Sequence, residues 1–154
     1  MKYSVLVTTK QEFKDWEECY KNLAIMLEKE KKVKPGYGES VLKREESFPT
    51  GLQITPNIGI AIPHSCDPSF SIEPSIAVAL LAKPLEVSSM AQPEEKVMVS
   101  VVLMLALVGS EDHLVMLQHM MEIFQDEVLL QNLLEIKDPL DARKLLEDKL
   151  TVNN

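Results

Sequence analysis

Gly59-Ile60-Ala61-Ile62-Pro63-His64 is the stretch around which the rest of the chain is arranged. With Ile58 before it, the run of small and apolar residues predicts a short buried strand over 58–62. Pro63 ends that strand, because proline has no N–H for a ladder, and it holds Ile62 extended. His64 is thereby delivered at a strand end on a constrained backbone, just before the polar loop Ser65-Cys66-Asp67-Pro68-Ser69. Sheets of α/β proteins carry their chemistry at such ends, where a rigid scaffold meets variable loops. Two readings of this histidine stand side by side. It is either an imidazole satisfied by a backbone carbonyl or a catalytic group, histidine being the side chain whose charge changes nearest neutral pH.

Downstream, residues 75–81 and 97–107 are apolar runs whose β-branched content predicts buried strands, with leucine, methionine and alanine keeping a helix open for the second. Lys83-Pro84 closes the first run, and residues 86–95 form a polar link. Ser110 reads as an N-cap, with Glu111 and Asp112 in the first turn of a helix to about Phe124 that buries Leu114, Leu117, Met121 and Phe124. Two further helices are predicted over 126–134 and 139–150.

Upstream, Thr9 and Glu12 have capping-box spacing. They predict the start of an amphipathic helix to about Val33, with an apolar stripe of Phe13, Trp16, Tyr20, Leu23 and Leu27. Pro35-Gly36 stops it. A short helix over 39–46 carries Val41 and Leu42 on one side and Lys43, Arg44, Glu45 and Glu46 on the other, with Lys43, Glu45 and Glu46 assigned to a solvated face. Residues 48–52 form a turn, and residues 4–7 add one more strand. Together these elements predict an α/β fold, a single domain over 1–154 built on a mixed sheet flanked by helices.

The chain has 154 residues and a formal charge of −8. That length suits one domain with its own core. An acidic chain with no basic stripe disfavours nucleic-acid binding. The longest apolar run, 97–108, is broken by Ser100 and falls short of the roughly 20 residues a membrane span needs. No direct membrane insertion is therefore expected, and Met1–Val7 is too short for a signal peptide. Cys19 and Cys66 have neither disulfide nor metal spacing, which fits a reducing cytoplasm.

His113 falls at the third position after Ser110, where the positive helix end disfavours a protonated ring. A neutral imidazole there can still donate a hydrogen bond to a negative oxygen or to another imidazole. A plain surface histidine is the other reading. His119 is assigned a structural or exposed role. Zinc is not expected, since no His-x-x-x-His pair exists and the cysteines are scattered. A Cys66–His64 nucleophile pair shares one face of an extended chain, but thiol enzymes seldom use neighbours in sequence. Glycine-rich phosphate loops are absent.

Taken as a set, Leu42-Lys43-Arg44-Glu45-Glu46, Phe48-Pro49-Thr50-Gly51-Leu52, Gly59-Ile60-Ala61-Ile62-Pro63-His64 and Asp112-His113-Leu114 resemble a known family. It is the IIA component of the bacterial phosphoenolpyruvate-dependent sugar phosphotransferase system, fructose/mannitol class. Phe48-Pro49-Thr50-Gly51-Leu52 is similar to the galactitol-type members. The resemblance runs from about residue 10 to 150. Ser65 departs from it, because Gly, Ala or Cys is frequent after the histidine. The resemblance implies the fructose/mannitol-type IIA fold and a phosphocarrier without cofactor or metal. His64 would be the phosphoacceptor, acting neutral and through Nε2. It would take a phosphoryl group from the carrier HPr and pass it to a cysteine of a IIB partner, through which it would work with a membrane IIC that reads the sugar. Arg44 matches the family's arginine near the site and His113 its second histidine, and both would stabilise the phosphoryl group. A nitrogen-regulatory role for the same phosphohistidine is the alternative.

Overall fold

A computed structural model describes the backbone of residues 3–150, and the side chains of those residues other than 110–113. Its elements are β1 (Ser4–Gln11), α1 (Trp16–Lys29), α2 (Tyr37–Ser47), β2 (Gly51–Gln53), β3 (Gly59–Ala61), β4 (Ser75–Ser88), β5 (Lys96–Ala106), α3 (Ser110–Ile123), α4 (Glu127–Glu135) and α5 (Pro139–Leu150). One sheet has the order β1-β4-β5-β3-β2. Pairing is parallel between β1 and β4 and between β3 and β5, and antiparallel between β4 and β5 and between β2 and β3. The mixed α/β sheet of the sequence reading is present.

Alternation along the strands sorts the core into two layers, because successive strand side chains point to opposite faces. Ile76, Val78, Leu80, Val101, Leu103 and Leu105 face one way, onto Met116, Met120 and Phe124 of α3 and the buried leucines of α4 and α5. Ala77, Ala79, Val102, Met104 and Ala106 face the other way, onto Tyr20, Leu23 and Leu27 of α1 and Tyr37 and Val41 of α2. Small alanines on that face leave room for two helices to lie close. Gly38 is part of the same economy, since a Cβ there would stand 2.9 Å from the Ala24 side chain.

Several local expectations give way to pairing. Thr9 does not cap a helix. It lies inside β1, where it pairs with Leu80, and its hydroxyl donates to the Lys137 carbonyl. The cap is Asp15, whose side chain accepts from the Glu18 N–H. A helix start at Thr9 would have cost β1 its ladder with β4. The helix also ends earlier than Val33, with Glu30 at its C-cap and Lys31 at φ 57°. Gly36, at φ 97°, opens α2 instead of closing α1. The turn assigned to 48–52 already enters β2 at Gly51.

Lys83-Pro84 does not close β4. The strand runs through it with a register shift between Leu80 and Leu85, and proline is tolerated at such an irregularity because no ladder N–H is required there. The strand alternative for 97–107 holds. Gly109, not Ser110, occupies the N-cap of α3, at φ 81°. The buried face of α3 is Met116, Met120 and Phe124, with Leu117 and Met121 packed at its margin, while Leu114 is 59% exposed. A stripe through 114, 117, 121 and 124 and one through 116, 120 and 124 both have helical spacing. Only contact with the sheet chooses between them.

Candidate functional site

β3 ends at Ala61, yet the chain keeps company with β5 beyond Pro63. The Pro63 carbonyl accepts from Leu105 N–H at 3.0 Å, and His64 forms an isolated parallel bridge with Leu105. Proline removes a donor but keeps its acceptor, so the backbone under the histidine stays anchored to the central sheet. On the other side of Leu105, the buried Tyr37 hydroxyl of α2 donates to its carbonyl at 2.6 Å. Burial holds that phenol far above the usual tyrosine range, so it remains a neutral donor.

The His64 side chain is 4% exposed. Its Nδ1 lies 2.8 Å from the Ile62 carbonyl oxygen. A carbonyl only accepts, so Nδ1 carries the hydrogen. In the neutral ring the lone pair is then on Nε2.

Two side chains brace the peptide that receives this bond. Ile62 N–H donates to the Thr50 hydroxyl at 3.2 Å. Thr50 in turn donates its hydroxyl hydrogen to Glu45 Oε1 at 2.8 Å, and its N–H to Glu45 Oε2 at 2.8 Å. Glu45 is buried, which corrects its assignment to a solvated face. Desolvation raises its carboxyl above the ordinary value, against the opposing pull of the Thr50 bonds and the Arg44 charge. The sequence offers the spacing but not the choice of face. Tyr37, Val41 and Glu45 recur every four residues and form the buried stripe of α2. Lys43 and Glu46 are exposed, as expected.

Arg44, the residue before Glu45 on α2, is half-buried. Its Nη1 donates to the Phe48 carbonyl at 3.3 Å, and its guanidinium sits 5.5 Å from the Phe48 ring centroid. It lines a cleft of about 660 Å³ between α2 and the loop after the histidine, walled also by Lys43, Phe48, Cys66, Asp67 and Phe70. His64 itself is not in the lining. It is joined to the cleft through its neighbour Ser65, whose hydroxyl hydrogen-bonds Ser40 on the cleft wall. The Ser65 hydroxyl also accepts from Asp67 N–H at 3.0 Å, which fixes the loop's first turn. Hydrogen bonds from Ser69 hold the exposed Asp67 carboxyl below its usual range, so it stays charged beside the cleft.

His113 is in the first turn of α3, and its side chain lies outside the described residues. His119 is half-buried in the same helix. Cys66 is exposed, two residues after His64. Cys19 is buried, and desolvation together with Glu18 pushes its thiol up to about 12, so it stays protonated. Among the described residues, no group of three His, Cys, Asp or Glu side chains is placed to hold a metal ion. Nor is any described helix long and apolar enough to cross a membrane.

The fold has close counterparts among solved structures. IIA mannitol from Escherichia coli superposes with a TM-score of 0.75 at 19% identity, over 92% of this chain and 94% of that one. The complex of enzyme IIA and phosphorylated enzyme IIB for mannitol, also from Escherichia coli, gives 0.74 at 17% identity over 92% and 93%. Nitrogen regulatory protein IIA-Ntr from Neisseria meningitidis gives 0.64 at 16% identity over 94% and 92%. At these identities the likeness is one of fold. No curated protein matches the chain. Residues 4–149 match the family described as "Phosphoenolpyruvate-dependent sugar phosphotransferase system, EIIA 2". That match takes in the His64 strand end, the Glu45–Thr50 brace and the Arg44 cleft together, and the chain belongs to this EIIA 2 family.

Proposed function

We propose that the protein is a cytoplasmic phosphocarrier, one EIIA type-2 domain over residues 1–154, in which His64 takes a phosphoryl group from phospho-HPr and hands it to a cysteine of a IIB component. The observation that carries this is the 2.8 Å bond from His64 Nδ1 to the Ile62 carbonyl, which leaves the nucleophilic lone pair on Nε2. In the transfer, Nε2 attacks phosphorus and the phosphorus–nitrogen bond of the donor histidine breaks. The donor imidazole leaves with that electron pair. The His64 ring gains positive charge as the new bond forms, and its Nδ1–H···O=C bond strengthens in step. Such transfer is mostly positioning and electrostatics.

The phosphoryl group brings about two negative charges to an acidic protein. Arg44 is the side chain suited to fork its oxygens, and it sits half-buried on the wall of the cleft that Ser40, hydrogen-bonded to Ser65, also lines. Arg44→Ala is expected to slow phosphoryl transfer about tenfold, the worth of one charged hydrogen bond. An unchanged rate in rapid-quench labelling removes Arg44 from the site. His113 is assigned to steady the phosphoryl group from the α3 side. His113→Ala is expected to accept phosphate yet pass it to IIB about tenfold more slowly, as read in a single-turnover chase with IIB.

The IIB partner is supported by the mannitol complex, in which a protein of this fold is bound to phosphorylated IIB. From the IIB cysteine the phosphoryl group would pass to a hydroxyl of the incoming sugar, which a membrane IIC reads. Galactitol or a related polyol is proposed as that sugar from Phe48-Pro49-Thr50-Gly51-Leu52. The second reading is a regulatory phosphoprotein, favoured by the fold shared with IIA-Ntr. Incubation with phosphoenolpyruvate, enzyme I and HPr, followed by intact mass, tests the carrier step. Gain of one acid-labile phosphoryl group supports it. Chase with IIB then divides the readings, because rapid reversible transfer fits the transport role and a phosphoprotein inert to IIB fits regulation.

A further inference from the structure

Residues 50 and 62 fall next in register after the Gly51–Ala61 pair of the β2–β3 ladder. At that step the Ile62 N–H is taken by the Thr50 side-chain hydroxyl at 3.2 Å. The hydroxyl is fixed in orientation, because its hydrogen is committed to Glu45 Oε1 at 2.8 Å. Glu45 is fixed in turn, because its second oxygen accepts Thr50 N–H at 2.8 Å. The carboxylate, 4% exposed, stands in a layer of apolar side chains. Tyr20 of α1 faces it, its hydroxyl kept neutral by burial and by the Glu45 charge. A buried acid is costly unless its oxygens are satisfied. Here both are satisfied by one residue, and that residue's remaining capacity goes to the peptide whose carbonyl holds the His64 ring.

We propose that Glu45 and Thr50 are positioning residues for His64: Glu45 orients the Thr50 hydroxyl, the hydroxyl holds the Ile62 peptide, and the Ile62 carbonyl keeps the imidazole with its Nδ1 hydrogen inward and Nε2 ready for phosphorus. The inference rests on His64 being the phosphoacceptor. It explains why a charged group is buried on α2 where a leucine would pack at lower cost. An apolar residue there would leave the Thr50 hydroxyl able to rotate away from Ile62. Outer partners that set the tautomer and angle of a reactive imidazole act in this way elsewhere.

The test compares Thr50→Val, Thr50→Ser and Glu45→Gln in the full chain. Three quantities are read: imidazole nitrogen NMR shifts of His64, the rate of phosphoryl uptake from phospho-HPr, and the melting temperature. Thr50→Val keeps the shape and deletes the hydroxyl. It is expected to lose the single Nδ1–H tautomer and to slow uptake about tenfold. Thr50→Ser restores the hydroxyl and is expected to restore ring signature and rate. Glu45→Gln is expected to move both in the direction of Thr50→Val. A purely structural role predicts lower melting temperatures with ring shifts and rate of the folded protein unchanged, and that result overturns the proposal. If Thr50→Val fails to fold, a folded Glu45→Gln with a wild-type ring overturns it equally. Wild-type protein that takes no phosphoryl group from active phospho-HPr brings down the phosphoacceptor reading instead, and the ring signatures still decide whether the brace positions His64.

Discussion

His64→Ala is expected to abolish phosphoryl gain completely while the protein still folds. The variant removes the imidazole held just beyond the end of β3, the ring on which the proposed transfer depends. Cys19 is buried on the α1 face with its thiol protonated. Cys66 is exposed and close in sequence, so Cys66→Ser is the control, expected to leave phosphoryl gain intact. The fold is expected to survive because the anchoring bond beneath the ring runs from Leu105 N–H to the Pro63 carbonyl, which the substitution leaves in place. His64→Gln serves as the companion variant. It keeps polarity and much of the volume without a nucleophilic ring nitrogen. Intact mass after incubation with phospho-HPr reads the result, and phosphoryl gain retained by both variants would transfer the role to another residue.

Gly59→Ala is expected to destabilise the protein by about 3 kcal/mol, the cost of overpacking against atoms that cannot move aside. A Cβ at Gly59 would stand 2.5 Å from the Met98 carbonyl oxygen and 2.6 Å from Val97 Cγ1. The first of these is backbone in the central strand β5, which is itself locked to β4. The yielding partner is therefore β3, three residues long and irregular in register between Gly59 and Ile60. Displacing β3 also loosens the His64–Leu105 bridge, so phosphoryl uptake is expected to fall even well below the melting temperature. For a chain of this size the loss corresponds to a melting temperature lower by about 10 °C. Thermal unfolding by circular dichroism measures it. Unchanged melting would mean that β3 and β5 tolerate a wider separation than their pairing implies.

The sequence by itself determined that a short strand delivers His64 into a polar loop, that residues 97–107 form a buried run, and that α2, α4 and α5 lie within a residue or two of their observed bounds. These are local matters. Proline after a small apolar run, and apolar runs bounded by polar links, act on their immediate neighbours, so they can be read without knowing what lies across the sheet. The family followed from the same local motifs. Only the tertiary structure decided that Thr9 belongs to a strand, that β4 passes through Pro84, that α3 buries Met116 and Met120 in place of Leu114, and that Glu45 points inward to Thr50. Each of these depends on a partner far along the chain: β4 for Thr9, β5 for Pro84, the sheet face for α3, and the start of β2 for Glu45. Hydrogen bonding and burial are satisfied by whichever segment arrives, and periodicity within one segment cannot say which one does.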